Sequence, residues 1–469
     1  MNLKIPVETK YETPSDLRMN GRRVHVFDVE FSNVVRGWSV ARISRLSNRA
    51  ADIAPLLSIK AMLAGNNNSL HARPQFIREY NVLITEGGAI GVSANGLRLF
   101  DRLGVYESLS KRGSSRSDFA VHSLSGGRLG GLDDFAARAR AEMGYGYMRI
   151  KRADVVDVLL EAVRKAGIPV HFGRKITGID DTSAGEGADV GVRFEDGSSD
   201  SADMLMGCDG IHSAVRRLYV DRDLKLEYSG LSGLFSIIPT AQLPSFVTDQ
   251  LTGLNVTLTE KGMFMAAPCT AAMDEVYWGF QREIPVPDPQ DDRDGWEVRG
   301  RQEVDGFKGN LHEILASGRG DWTDALRQLV DATDVMKFYP IYRLPLGGTW
   351  SRGRCLLLGD AAHATQPHAG QGVSLAVEDV FLVSRLLADP SRSVEEAFTL
   401  FQQIRRPRVA EIHETAAQNA GARKETGPIT QWLRENALRI ALSTRLGLGI
   451  GQQLLGQRYT IYDVDTEQI

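Results

Sequence analysis

Apolar and polar positions keep a regular period along most of the chain, and the period changes with position. The run at 81–86 (NVLITE) is short and β-branched, which predicts a strand. Over 95–109, Leu97, Phe100 and Leu103 recur at helical spacing and then meet Gly104. Val155, Val156, Leu159, Leu160 and Val163 form one face of a predicted helix over 152–166, with Arg164 and Lys165 in its last turn before Gly167. A strand over 168–172, a hairpin turn ending in Glu195-Asp196-Gly197 and a strand over 202–206 come next. Alternation of this kind predicts an α/β domain.

Residues 225–285 follow a different pattern. Short apolar runs at 234–238, 255–259 and 276–280 sit between Gly and Pro turns, which predicts a sheet-rich domain inserted into the first. The charged, Pro-bearing stretch 288–305 is expected to be an exposed connection, and the pattern turns mostly helical after about residue 385. The segment 437–451 is amphipathic and interrupted by Arg439 and Arg445. It is expected to pack on its own protein rather than lie on a membrane surface. On this reading 1–75 is an atypical N-terminal segment, and 76–116, 149–224 and 335–385 make a discontinuous cofactor domain. Residues 117–148 and 225–334 make a substrate domain, and 386–469 a helical C-terminal region.

Charge narrows the field. Fifty-five Lys+Arg against 59 Asp+Glu leave a net charge of −4, without the basic excess that nucleic-acid binding would need. Cys208, Cys269 and Cys355 are far apart and odd in number, against a disulfide framework or a CxxC metal site. With no apolar h-region at the start and no long apolar run, a cytoplasmic location is expected. Glycine is plentiful at 47 residues, yet only Gly21, Gly37 and Gly65 fall in the first 75 positions.

The densest chemistry lies in 354–387, RCLLLGDAAHATQPHAGQGVSLAVEDVFLVSRLL. A buried strand over 355–358 runs into Gly359-Asp360, a loop holds Pro367, Gly370, Gln371 and Gly372, and a helix begins at Val373. Gly359 allows a tight turn, so that the Asp360 carboxylate can accept hydrogen bonds from a ribitol or ribose hydroxyl. Gly370 and Gly372 remove side chains where backbone N–H groups approach a planar ring or phosphate, and the helix N-terminus adds a positive dipole end. A second turn, MGCDGIHSAVR at 206–216, also follows a strand. Its Asp209-Gly210 with Arg216 and Arg217 suits the ribose and pyrophosphate of a dinucleotide.

With these two turns in this order, the chain resembles the class A flavoprotein monooxygenases, the para-hydroxybenzoate or salicylate hydroxylase-like family, over about residues 80–420. Asp209-Gly210 matches that family's DG motif, and Gly359-Asp360 with PxxGQG its GD motif. GGAIGVSANGLRLFDRLGV (87–105) resembles the segment after the second strand, and Lys151-Arg152-Ala153-Asp154 the FAD-contacting arginine position. The resemblance implies an α/β fold: a Rossmann-like FAD domain, an inserted β-sheet substrate domain of the aromatic hydroxylase type, and a helical C-terminus. It implies that Arg152, Asp360, Gly370, Gln371, Gly372 and Val373 contact FAD, with Gly91, Gly359 and Pro367 in the same site. Asp209 would support both FAD and NADPH, and Glu86 the adenosine ribose. The implied reaction uses NADPH or NADH and O2, and a flavin C4a-hydroperoxide hydroxylates or epoxidises a small aromatic or alkene substrate, including polyketide- or terpenoid-like ones. The hard step belongs to the flavin, so no protein nucleophile is needed.

The departure is at the start. The family opens with a G-x-G-x-x-G turn that seats the pyrophosphate, and this chain has none. The turn is expected about 20 residues before Glu86, where the chain reads Ala64-Gly65-Asn66-Asn67-Asn68. The first 75 residues therefore read as a mis-joined exon or degraded segment. The alternative function is an impaired relic or a non-enzymatic partner protein; a halogenase is disfavoured by the absence of W-x-W-x-x-P. His363 and His368, five apart without a third ligand, do not make a metal site. Asp133-Asp134 reads as a solvated loop, and Glu378-Asp379 as the polar face of the helix after the glycine loop. Tyr228, Phe235, Phe264, Trp278 and Tyr342 are candidate substrate liners.

Overall fold

A computed structural model describes residues 24–28, 75–78, 88–125, 127–181, 189–285, 294–443 and 457–469. Six strands form a sheet in the order Ser351–Arg352, Cys355–Leu357, Met204–Gly207, Val24–Asp28, Gln75–Arg78, Val170–His171. Every neighbouring pair is parallel except the hairpin at one edge. Leu205, Met206, Leu356 and Leu357 are all fully buried, as expected for strands covered on both faces.

From the strand Val24–Asp28 the chain first builds outward through Gln75–Arg78 and Val170–His171, then returns to the other side at Met204–Gly207. The carboxyl ends beside that reversal are where open α/β sheets bind ligands.

This topology corrects the expectation for the N-terminal segment. The first 75 residues are not set apart from the fold, because Val24–Asp28 is a central strand, paired with Met204–Gly207 on one side and Gln75–Arg78 on the other. Backbone pairing needs an extended run, here VHVFD, and does not depend on a glycine turn following it. The strand expected over 81–86, Glu86 within it, and the Asn-rich window at 64–68 lie outside the described residues.

The helix predicted over 152–166 is Arg152–Lys165, stopped by Gly167 at φ +67°. The pattern over 95–109 forms two helices, Ala94–Arg102 and Tyr106–Ser110, separated at Gly104.

A second sheet has seven strands in the order Lys337–Arg343, Glu227–Pro239, Glu275–Glu283, Gly262–Pro268, Leu254–Thr259, Phe119–Ser123, Arg128–Leu132. It is antiparallel apart from the Leu254–Thr259 and Phe119–Ser123 pair. Lys337–Arg343 belongs to this sheet, so the chain returns to the parallel sheet at Ser351 rather than at 335.

Alternation gives the second sheet two different faces. Phe264, Trp278 and Phe280 pack against Leu311, Leu315, Leu326 and Leu329 of the helices Phe307–Leu315 and Asp321–Asp331. Phe235, Met265, Tyr277 and Tyr339 point the other way, towards Ala89 and Cys269. Two expected substrate liners, Phe264 and Trp278, are therefore core under the helices. The charged stretch expected as an exposed connection is a helix from Asp294 to Asp305. Its Glu303 is buried and paired with Arg282 and Arg299, each at 2.6 Å.

The C-terminal region is helical. Val394–Ala420 starts at a capping box made by Ser393 and Glu396. The helix Pro428–Ser443 lays Leu438 and Leu442 on Val121, Leu129, Leu258 and Met263 of the second sheet. The amphipathic segment expected over 437–451 thus packs on its own protein as far as it is described; residues 444–451 lie outside the described residues. Among the described residues no helix is long and apolar enough to cross a membrane.

Candidate functional site

The two turns singled out in the sequence lie side by side at the carboxyl ends of adjacent parallel strands. Leu358 N–H donates to the Gly207 carbonyl at 2.9 Å, and Arg216 Nη1 donates to the Ala361 carbonyl at 2.7 Å. Arg216 is fully buried, with Nη2 on the Ile211 carbonyl. It joins the two turns and is committed to backbone, which corrects the expectation that it serves a pyrophosphate. Arg217 holds the Ser213 carbonyl through Nε at 3.2 Å.

Two carboxylates with similar sequence context have opposite surroundings. Asp209 accepts from Ser213 Oγ (2.6 Å), Ala214 N (2.6 Å) and Val215 N (3.0 Å), so it caps the turn that follows it. Asp360 is buried too, but among the described residues no group donates a hydrogen bond to its carboxylate. Burial pushes both up to about 6, against the pull of Ser213 and Val215 at Asp209 and of His363, Arg152 and Arg216 at Asp360. Gly359, at φ +59°, makes the approach possible, since a Cβ there would sit 3.1 Å from Ala376 Cβ.

The loop beyond Asp360 forms a turn at Pro367–Ala369 and reverses at Gly370, φ +64°, whose Cβ position faces open space. Gln371 is buried. It accepts from Asn95 Nδ2 at 2.9 Å and donates to Ser93 Oγ at 3.1 Å. Gly372 and Val373 begin the helix Gly372–Ala388.

Glu378 and Asp379 on that helix are fully buried, not a solvated face. Glu378 meets Asn95 (2.7 Å), Arg405 (2.9 Å) and Arg408 (3.2 Å). Asp379 meets Arg405 (2.7 Å), His363 (2.7 Å) and the Gly359 amide (2.8 Å). Burial alone would raise Asp379, but His363 and Arg405 hold it below the usual carboxylate range. The network fixes the loop helix against Val394–Ala420. His363 is thereby bonded to Asp379 while His368 sits on the loop, and among the described residues no metal-binding cluster occurs. Asp134 takes Ser117 Oγ (2.7 Å) and Ala136 N (2.9 Å), tying its loop together.

Gly88, just before the strand Ala89–Ser93, meets the inner side of the seven-stranded sheet. Gly88 lies so close that a Cβ would come within 3.0 Å of Phe235 and 3.1 Å of Tyr277. Gly91 makes room for Tyr147, whose hydroxyl accepts from Arg149 Nη2 at 2.6 Å. The Arg152 amide donates to the Gly88 carbonyl at 3.1 Å. Met263, Met265, Tyr277, Gly279, Gln281 and Tyr339 line a cavity on this face. Of the five aromatic residues proposed from sequence, Phe235 is on this side, next to Tyr277 and Tyr339. Tyr228 and Tyr342 pair with each other at 5.5 Å, and Tyr228 donates to the Ile284 carbonyl. Tyr277, Gln281 and Tyr339 were missed. The parity of the strand Glu275–Glu283 relative to Trp278 carries that signal once the core face is known.

A sequence profile of the FAD binding domain family matches residues 76–305 and 346–416, more than half of the chain. The chain belongs to that family, among the class A FAD-dependent monooxygenases. It is 28% identical to 6-hydroxynicotinate 3-monooxygenase of Pseudomonas fluorescens over 73% of this chain and 83% of that protein. It is 27% identical to FAD-dependent urate hydroxylase of Mycolicibacterium vanbaalenii over 81% and 90%. Its fold is similar to HpxO of Klebsiella pneumoniae in complex with FAD and uric acid, at TM-score 0.70 and 20% identity over 92% of this chain and 97% of that one.

Proposed function

We propose that the protein uses NAD(P)H and O2 to hydroxylate a small aromatic substrate held between the glycine loop and the seven-stranded sheet. The observation that carries this reading is Asp360: a buried carboxylate without a donor, at the ligand-binding end of the parallel sheet, beside a loop with open space at Gly370. A hydroxyl-rich chain such as the ribityl part of FAD supplies the missing donors, so the residues present fit the cofactor on its flavin side. The residues after Asp28, Val29-Glu30-Phe31-Ser32-Asn33, where the pyrophosphate would belong, lie outside the described residues.

FAD would be held by Asp360, Arg152, Gly370, Gln371, Gly372 and Val373, with Gly359 and Pro367 shaping the loop. Gly91 and Asp209 would support the site from behind, and Glu86 would take the adenosine. Bound FAD supplies the activation of O2 with electrons taken from NAD(P)H. The protein's own share is positioning and dryness. Gln371, locked by Asn95 and Ser93, sets the loop, and the Phe235, Tyr277 and Tyr339 face excludes water from the ring to be oxidised. Relatives named for hydroxynicotinate, aminohydroxybenzoate and urate support an aromatic ring as substrate.

Purified protein should carry flavin absorbance or take up added FAD with a rise in melting temperature. An aromatic panel should then speed NAD(P)H oxidation and give oxygenated product. Colourless protein that ignores FAD would sink this reading.

A further inference from the structure

Residues 457–469 lie beyond the last position that the family profile matches, residue 416. They form a short helix, Gln457–Thr460, and a turn, Val464–Thr466. Tyr459 and Val464 are buried in the same core as Leu375 and Val380 of the helix Gly372–Ala388. Arginines from the helices beneath hold the rest of the segment. Arg98 and Arg102, on Ala94–Arg102, pair with Asp465, and Arg98 also pairs with Asp463. Arg385, on Gly372–Ala388, donates to the carbonyls of Val464 (2.7 Å) and Glu467 (3.2 Å). Arg408, on Val394–Ala420, donates to the Tyr459 carbonyl at 2.8 Å. The segment therefore fastens these helices to one another.

The same helices carry the buried network behind the glycine loop. The Tyr462 ring lies 4.3 Å from the Arg408 guanidinium and 5.8 Å from that of Arg405, and its hydroxyl donates to Glu467 at 2.7 Å. From Arg408 the contacts run to Glu378 (3.2 Å), from Glu378 to Asn95 (2.7 Å) and from Asn95 to Gln371 (2.9 Å). One end of this path is the strap of chain at the C-terminus, and the other is the glycine loop. An aromatic face attracts the cations it covers and keeps water from them, and ion pairs grip harder where water is excluded. Removal of the ring weakens the hold of Arg405 and Arg408 on Glu378, and with it the seat of Asn95 and Gln371.

We infer that the C-terminal segment 457–467 is a positioning strap for the cofactor loop, with Tyr462 as the residue that transmits its docking to Gln371. The inference rests on the proposed reading for FAD as the occupant of the loop, and on the contacts of this chain for the coupling. Such coupling is reciprocal: a docked strap slows the release of FAD, and bound FAD steadies the strap.

The test compares Tyr462→Ala, Tyr462→Phe and the double variant Asp463→Asn/Asp465→Asn as FAD-loaded full-length proteins. FAD release is read from the return of flavin fluorescence on dilution. Tyr462→Ala and the double variant should release FAD roughly five-fold or more faster, and Tyr462→Phe, which keeps the ring, should stay at the wild-type rate. In the wild-type protein, added FAD should slow hydrogen exchange of the amides in 459–467. A lower melting temperature with an unchanged FAD release rate would make the strap merely structural and overturn the inference, as would strap amides that do not respond to FAD. Should Tyr462→Ala not fold, the double variant decides by the same rate. A wild-type protein that takes up no FAD would defeat the functional reading separately. Hydrogen exchange of the FAD-free variants then decides the strap: faster exchange over 370–375 with the seven-stranded sheet unchanged supports it, and an unchanged loop overturns it.

Discussion

Asp209 and Asp360 show what a motif conveys at the scale of the residue. Each ends a buried parallel strand next to a glycine, and that much is legible in the sequence. The donors around them are not, because three come from the turn after Asp209 and none from the protein at Asp360. This difference gives the two positions opposite expected effects. Asp360 has its pKa raised to about 6 in the folded chain against about 3.9 unfolded, so the FAD-free protein gains protons on folding between those values. The buried charge then costs about 3 kcal/mol at pH 7, and the cost disappears as the pH falls to about 4. Asp360→Asn should therefore raise the melting temperature of FAD-free protein at pH 7 and not at pH 4, while weakening FAD retention roughly ten-fold or more. Asp209→Ala leaves a hydroxyl and two amides without an acceptor. At about 1–3 kcal/mol each, their loss outweighs the relief of one buried charge. It should lower the melting temperature and affect FAD less. Equal FAD losses in the two variants would contradict the separate roles.

Elements were legible by period, and their partners were not. Gly372–Ala388 and Val394–Ala420 follow from apolar spacing, yet Glu378-Asp379 looks like a surface pair until the second helix brings Arg405 and Arg408 against it. Likewise, alternation along the strand Glu275–Glu283 separates Tyr277 from Trp278, but only the helices on one side reveal which face is core. Arg405 is fully buried between the two carboxylates, and replacing it removes the cation they share, leaving Glu378 to Asn95 and Arg408 and Asp379 to His363 and the Gly359 amide. Arg405→Met should cost about 3–5 kcal/mol in urea unfolding. It should also loosen the loop through Asn95 and Gln371, with weaker FAD binding even where the fold survives. A change within about 0.5 kcal/mol would show the network to be incidental.

For the whole molecule, the two-sheet plan was readable from about residue 80 onward because its turns carry glycine at the positions that sheet-to-helix reversals need. The opening strand was not, since the glycine turn that marks such a strand is missing after it. VHVFD at Val24–Asp28 is a short, largely apolar run, but no glycine follows it closely. Its position predicts the largest single effect in the protein. Val26 pairs with Met206 on one side and Phe76 on the other, so removing this strand divides the parallel sheet between its two halves. Deletion of residues 1–28 should abolish cooperative unfolding and soluble yield, and Val26→Pro should approach the same result, because proline removes a ladder hydrogen bond in a strand with neighbours on both sides. The converse outcome is equally specific. A truncated chain that unfolds cooperatively and still takes up FAD would mean that Met204–Gly207 and Gln75–Arg78 can do without the strand between them, and the glycine-poor segment would then be separable from the fold after all.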